Sequence, residues 1–106
     1  MPELVIAMYK PKPGKEKELL DCLKDHVPTL RQLGLATGRE AVIARSRKDG
    51  TVLEVFEWVS AQAVEDAHSN SAVQEFWERL SRCAEYRNLS SLVEADEFFP
   101  HFEPIQ

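Results

Sequence analysis

The chain has 106 residues, 43% hydrophobic and 29% charged, a balance that describes one soluble globular domain able to bury a core without metal or disulfide staples. Its formal net charge of -5 excludes nucleic acid as a partner, because phosphate backbones demand clustered Lys and Arg. A neutral or cationic small ligand stays open, as does a weakly acidic one held by a single Arg.

The opening Met1-Pro-Glu-Leu-Val-Ile-Ala-Met-Tyr-Lys10 has an uninterrupted apolar segment only from Leu4 to Met8, far too short to cross a bilayer. No membrane partner is expected, and the expected compartment is the cytoplasm. Leu4 to Tyr9 reads as a short, largely buried strand that ends at Lys10-Pro11-Lys12-Pro13-Gly14, where two prolines remove ladder donors and force a turn. From Lys15 the spacing turns helical, with Leu19, Leu20, Leu23, Val27 and Leu30 on one face. Pro28 predicts a kink near Lys24 to Pro28 or an early end to the regular helix. Gly34 is the expected left-handed cap.

The chain then re-extends from Arg39 to Arg47, and Lys48-Asp49-Gly50 signals a hairpin into a strand from Thr51 to Val59. That strand puts Val52, Phe56 and Trp58 on one face and Leu53, Val55 and Val59 on the other, so both faces need cover. Arg45, Arg47 and Lys48 read as a solvated guard on an edge strand. Val64, Ala67 and His68 recur at helical spacing. After Ser69-Asn70-Ser71 the series resumes as Val73, Phe76, Trp77, Leu80 and Ala84, which predicts a helix broken in two, with Ser71 and Gln74 as a capping box. A fourth strand is predicted from Ser91 to Glu97. The tail, residues 98–106, holds too many large apolar groups to be left in water, and its two prolines predict an extended arm along this protomer or its mate. Cys22 and Cys83, far apart and without a metal-binding pattern, are expected as buried or semi-exposed free thiols.

The order strand, helix, strand, strand, helix, strand predicts an α+β, ferredoxin-like βαββαβ domain with a four-stranded antiparallel sheet and helices on one face. With right-handed crossovers the helices cover only that face, which leaves the other for a partner molecule. Lys12-Pro-Gly14 opening the first helix, the run VFEWVSAQAVEDAH from Val55 to His68, and SAVQEFWERL from Ser71 to Leu80 together resemble the antibiotic biosynthesis monooxygenase-like family of dimeric α+β barrels. The resemblance spans nearly the whole chain. It implies a homodimer in which two open sheet faces pack together, and a pocket between sheet and helices in each protomer. It also implies, among other activities, cofactor-independent oxygenation of small aromatic or quinol compounds, in which a protein base turns the substrate into an electron-rich anion that reacts with dioxygen. Where haem-degrading members carry an Asn, a Trp and a His, this chain has Met8, His68 and about Glu78, so no haem is expected. The second histidine found a few residues past the Ala-His pair in quinol-oxidising members is replaced by Ala72 and Val73.

His68 is the candidate base, because imidazole titrates near working pH and a helix would aim it at the sheet; the bland alternative is a brace for the Ser69–Ser71 break. Tyr9 is the second candidate for proton work, against an edge aromatic with its hydroxyl in water. Trp58, Phe76 and Trp77 are candidate stacking walls for a flat ligand, although at this spacing they also suit a core. Asn70 is a candidate to orient a ligand carbonyl, or a helix cap. Glu65 and His68 lie on one helical face but lack the further carboxylates of a metal site, so no metal is expected. His26 and His101 read as surface residues. The competing reading is a non-catalytic dimeric barrel that binds a small hydrophobic molecule or has a stress or regulatory role.

Overall fold

The computed structural model describes residues Met1–Gln106, and its elements follow from the patterns above with three exceptions. Strand β1 (Glu3–Pro11) leads to helix α1 (Glu16–Gln32), hairpin strands β2 (Val42–Arg45) and β3 (Val52–Trp58), helices α2 (Ala61–His68) and α3 (Ser71–Cys83), and strands β4 (Ala84–Arg87) and β5 (Glu103–Pro104). The sheet is antiparallel throughout, in the order β4-β1-β3-β2-β5. The protein is therefore α+β with three α-helices packed on one face of an open five-stranded sheet.

Helix α1 buries Leu19, Cys22, Leu23, His26, Val27 and Leu30, one face at helical spacing, against the sheet. Full burial of each leucine contributes about 1.5–3 kcal/mol. Pro28 does not end the helix, which runs on to Gln32; Pro28 is exposed, so its ring stays out of the packed face. Gly34, at φ 76, closes α1 with paired bonds from Gly34 N to Arg31 O (3.0 Å) and Leu35 N to Leu30 O (2.9 Å), a Schellman ending. Gly50, at φ 79, turns the β2–β3 hairpin. The second helical region is broken as expected, but the cap lies one residue earlier. Asn70 accepts from Val73 N at 3.1 Å, and the Gln74 amide reaches back to His68 O.

The predicted strand from Ser91 to Glu97 does not form. Two 3-10 turns, Leu89–Ser91 and Val93–Asp96, occupy that stretch, and only Leu92 and Glu94 in it are buried beside the open sheet face, an every-second-residue burial that reads like a strand. The strand beside β1 comes earlier, at Ala84–Arg87, where the sequence reading carried the helix on to Ala84. No Gly or Pro separates the two, and α3 ends because Ala84 turns fully extended. Tyr86 then lies opposite Tyr9 with ring centroids 5.7 Å apart, a cross-strand aromatic pair.

The fifth strand comes from the tail. Glu103–Pro104 pairs with β2, and Arg45 is bonded to both Glu103 and Glu16, so the basic residue read as a solvated edge guard pins the arm to this protomer. Both cysteines are free and buried. No helix is long and apolar enough to cross a membrane.

Candidate functional site

Strand alternation decides what faces the helices. Along β3 the inward set is Val52, Glu54, Phe56 and Trp58, all 7% exposed or less, so a carboxylate stands among hydrophobic groups. Along β1 the inward set is Val5, Ala7 and Tyr9. The Tyr9 hydroxyl donates to Glu54 Oε1 at 2.8 Å. From α1, one turn above Cys22 and Leu23, His26 brings Nδ1 to 2.9 Å from Glu54 Oε2 and 3.0 Å from Oε1. Two polar side chains, from β1 and α1, thus close on one fully buried carboxylate of β3.

A carboxylate only accepts, so the Nδ1 that faces both of its oxygens carries the ring proton. The other ring nitrogen, Nε2, is buried without a hydrogen-bond partner. Phe76 stacks on the His26 ring at 5.3 Å, and Phe56 meets it edge-on at 5.6 Å. Two hydrogen bonds satisfy Glu54, which an unpaired buried charge would not tolerate. Burial, and then the Glu54 charge, pushes the Tyr9 phenol well above the usual tyrosine range, so Tyr9 is held as a donor.

His26 was read as a surface residue, and the structure corrects this: it is 4% exposed. Its signal was in the sequence, because residue 26 lies seven after Leu19, four after Cys22 and three after Leu23, inside the apolar stripe rather than opposite it. Glu54 carried the same kind of signal, two residues from both Val52 and Phe56 on an alternating strand.

Tyr9 also forms the inner end of an open cleft of about 630 Å³ between α3 and β4, whose walls include Trp77, Leu80, Arg82 and Tyr86. The Tyr86 hydroxyl donates to Trp77 O at 3.3 Å, which ties one wall to the other. Of the residues singled out from the sequence, Tyr9 and Trp77 meet here. Phe76 lies in the layer beneath, stacked on His26. His68 is exposed at the end of α2 and does not point at the sheet; its ring meets Trp77 edge-on at 5.1 Å. Trp58 is enclosed in a core of Val27, Leu30, Phe56 and Ala67, with its ring 5.1 Å from Phe56. Asn70 caps α3 and lines no cleft. No group of three or more His, Cys, Asp or Glu side chains is arranged to hold a metal ion.

Solved structures share this fold. Rv0793 from Mycobacterium tuberculosis superposes with a TM-score of 0.66 at 16% identity, over 82% of this chain and 89% of that one. A conserved protein from Methanosarcina mazei gives 0.63 at 17% identity, over 82% and 87%. A NIPSNAP family protein from Agrobacterium tumefaciens gives 0.53 at 19% identity, over 82% and 90%. At such identities the likeness is one of fold. No protein-family model matches the chain, and no curated protein does.

Proposed function

We propose that this protein is a homodimeric α+β barrel that takes a small aromatic or quinol molecule into the cleft beside Tyr9 and deprotonates it for cofactor-independent reaction with dioxygen. The observation that carries this reading is the double position of Tyr9, which lines the cleft and donates to the buried Glu54. A substrate hydroxyl bonded to the Tyr9 oxygen passes its proton there as the Tyr9 proton moves to Glu54, so Tyr9 relays a proton without becoming a buried phenolate. His26 steadies the carboxylate between transfers. Trp77 and Tyr86 supply stacking faces, and Arg82 at the rim faces the anion that forms. For a hydroquinone the balance closes without a reductant: quinol and one dioxygen give a hydroxyquinone and one water, all four electrons coming from the quinol.

The homodimer is supported by the helix-free face of the sheet, where Leu4 is 61% exposed, Val42 52% and Ile6 47%, flanked by Phe98 at 95% and Phe99 at 83%. A second copy of the same face is the cover that its apolar character calls for.

The test is oxygen consumption with a panel of hydroquinones and naphthalenediols for wild type, Tyr9→Phe, Glu54→Gln and His68→Ala. Turnover lowered about 100-fold or more in the first two variants supports the relay. An equal rate in His68→Ala removes His68 from the proton chemistry, whereas a loss there alone transfers the base role to it. One observation favours a second reading: His26 lines no cleft and is enclosed between Phe56 and Phe76, as a purely structural histidine would be. In that reading the barrel binds a hydrophobic molecule without turning it over, and the panel gives binding with no oxygen uptake.

A further inference from the structure

A second buried carboxylate stands on the face of the sheet turned away from the helices, and it is only half satisfied. Glu94 is 2% exposed. Ser46 Oγ donates to its Oε2 at 2.7 Å, while Oε1 is buried with no hydrogen-bond partner. Glu94 lines a groove of about 600 Å³ formed by Ile6, Leu53 and Val55 of the sheet and by Leu92 and Phe102 of the C-terminal segment. That volume is in the range of sites for small organic ligands. Asp96 and Glu97 stand at the same rim, so the polar end of the groove is acidic. Lys48 lies close enough for its charge to feel Glu94, yet its Nζ is bonded to Glu97 at 2.8 Å and does not reach the free oxygen.

An apolar trough with a buried carboxylate in its wall that is short of one donor is complementary to one chemistry: an apolar body with a positively charged N–H head. We propose that this groove binds a small amphiphilic amine, its alkyl or aryl body against Ile6, Leu53 and Val55 and its ammonium drawing the Glu94 carboxylate out as its acceptor. The site is independent of the Tyr9 cleft, since Ile6 and Tyr9 lie on opposite faces of β1. A second copy on the same sheet face does not exclude it. Leu4, Val42, Phe98 and Phe99 are exposed outside the groove, so a second copy resting on them would roof the groove rather than fill it.

Titration calorimetry with hexylamine as the probe and hexan-1-ol as its neutral counterpart tests this in wild type, Glu94→Gln and Val55→Trp. Glu94→Gln keeps an acceptor for Ser46, and its melting temperature checks that the fold survives. Hexylamine is expected to bind wild type about tenfold or more tighter than hexanol, to lose that preference in Glu94→Gln, and to be shut out by Val55→Trp, as removal of a charge-assisted hydrogen bond and of the trough's volume require. Equal affinity for amine and alcohol, a preference unchanged in Glu94→Gln, or no binding of either probe overturns the proposal. Absence of amine binding together with a weakened dimer in Glu94→Gln, seen by sedimentation, also overturns it and assigns the free oxygen to a donor of the second copy.

Discussion

On the helix side of the sheet Glu54 has both oxygens engaged, by Tyr9 and His26, whereas on the far side Glu94 has one oxygen bonded to Ser46 and the other bare. The surroundings differ in the same sense. The helix side packs Leu19, Leu23, Phe76 and Leu80 around its polar cluster, while Leu4, Ile6 and Val42 on the far side still face solvent. One face is complete within the chain, and the other leaves apolar side chains and a carboxylate oxygen without cover or partner. Period-two alternation along β1 is what makes the division possible, because Tyr9 and Ile6 belong to one strand and to opposite environments.

The largest effect expected from this comparison is on stability. Glu54→Ala leaves the Tyr9 hydroxyl and the His26 Nδ1–H without an acceptor inside the core and costs about 3–5 kcal/mol, read as the shift of the urea midpoint. Glu94→Ala loses the Ser46 bond but also removes a bare carboxylate oxygen, so its cost is about 1 kcal/mol. Comparable losses in the two variants would end the distinction between a satisfied and an unsatisfied carboxylate. Next in size is the effect on assembly. Leu4→Asp puts an unpaired charge on the exposed part of the far face outside the groove, and dissociation of the proposed dimer is expected to rise about 100-fold, equivalent to about 3 kcal/mol, with circular dichroism unchanged. A sedimentation profile identical to wild type would show that the far face is not where the copies meet.

The parts of the fold legible in the sequence were those with a local cause. Gly34 and Gly50 marked the end of α1 and the turn of the hairpin because only a left-handed backbone closes them, and the polar break at Ser69–Ser71 divided α2 from α3. The strand β4 was illegible because nothing at Cys83–Ala84 stops a helix; the pairing of Tyr86 with Tyr9 does, and that contact spans the length of the chain. At the site, Tyr9 and Trp77 were legible as residue types, but the carboxylate that gives Tyr9 its partner was passed over. Glu54 went unmarked although alternation places it with Val52 and Phe56, and His26 on α1 reads as surface only if its place in the apolar stripe is ignored. Polar residues inside an apolar period are the ones to keep, because burial at such a cost requires partners.

The last and subtler effect isolates Tyr9 itself. Tyr9→Phe keeps the ring and removes the hydroxyl, so Glu54 Oε1 loses one of its donors and stability falls by about 1–2 kcal/mol at neutral pH. The pH dependence carries more information than the size. Burial and the Glu54 charge raise the folded phenol above its unfolded value of about 10, so the contribution is fully present below about pH 10 and is lost as pH rises towards the folded value. In that window the unfolded chain releases a proton that the folded chain retains, and wild type loses up to about 1.4 kcal/mol per pH unit through this group. Tyr9→Phe has no such proton to lose. Urea midpoints for the two proteins between about pH 8 and 11 should therefore converge above about pH 10. A gap that stays constant across the range would mean that the folded phenol titrates as freely as the unfolded one, and the Tyr9–Glu54 contact would then lie open to water instead of forming the buried end of the cleft.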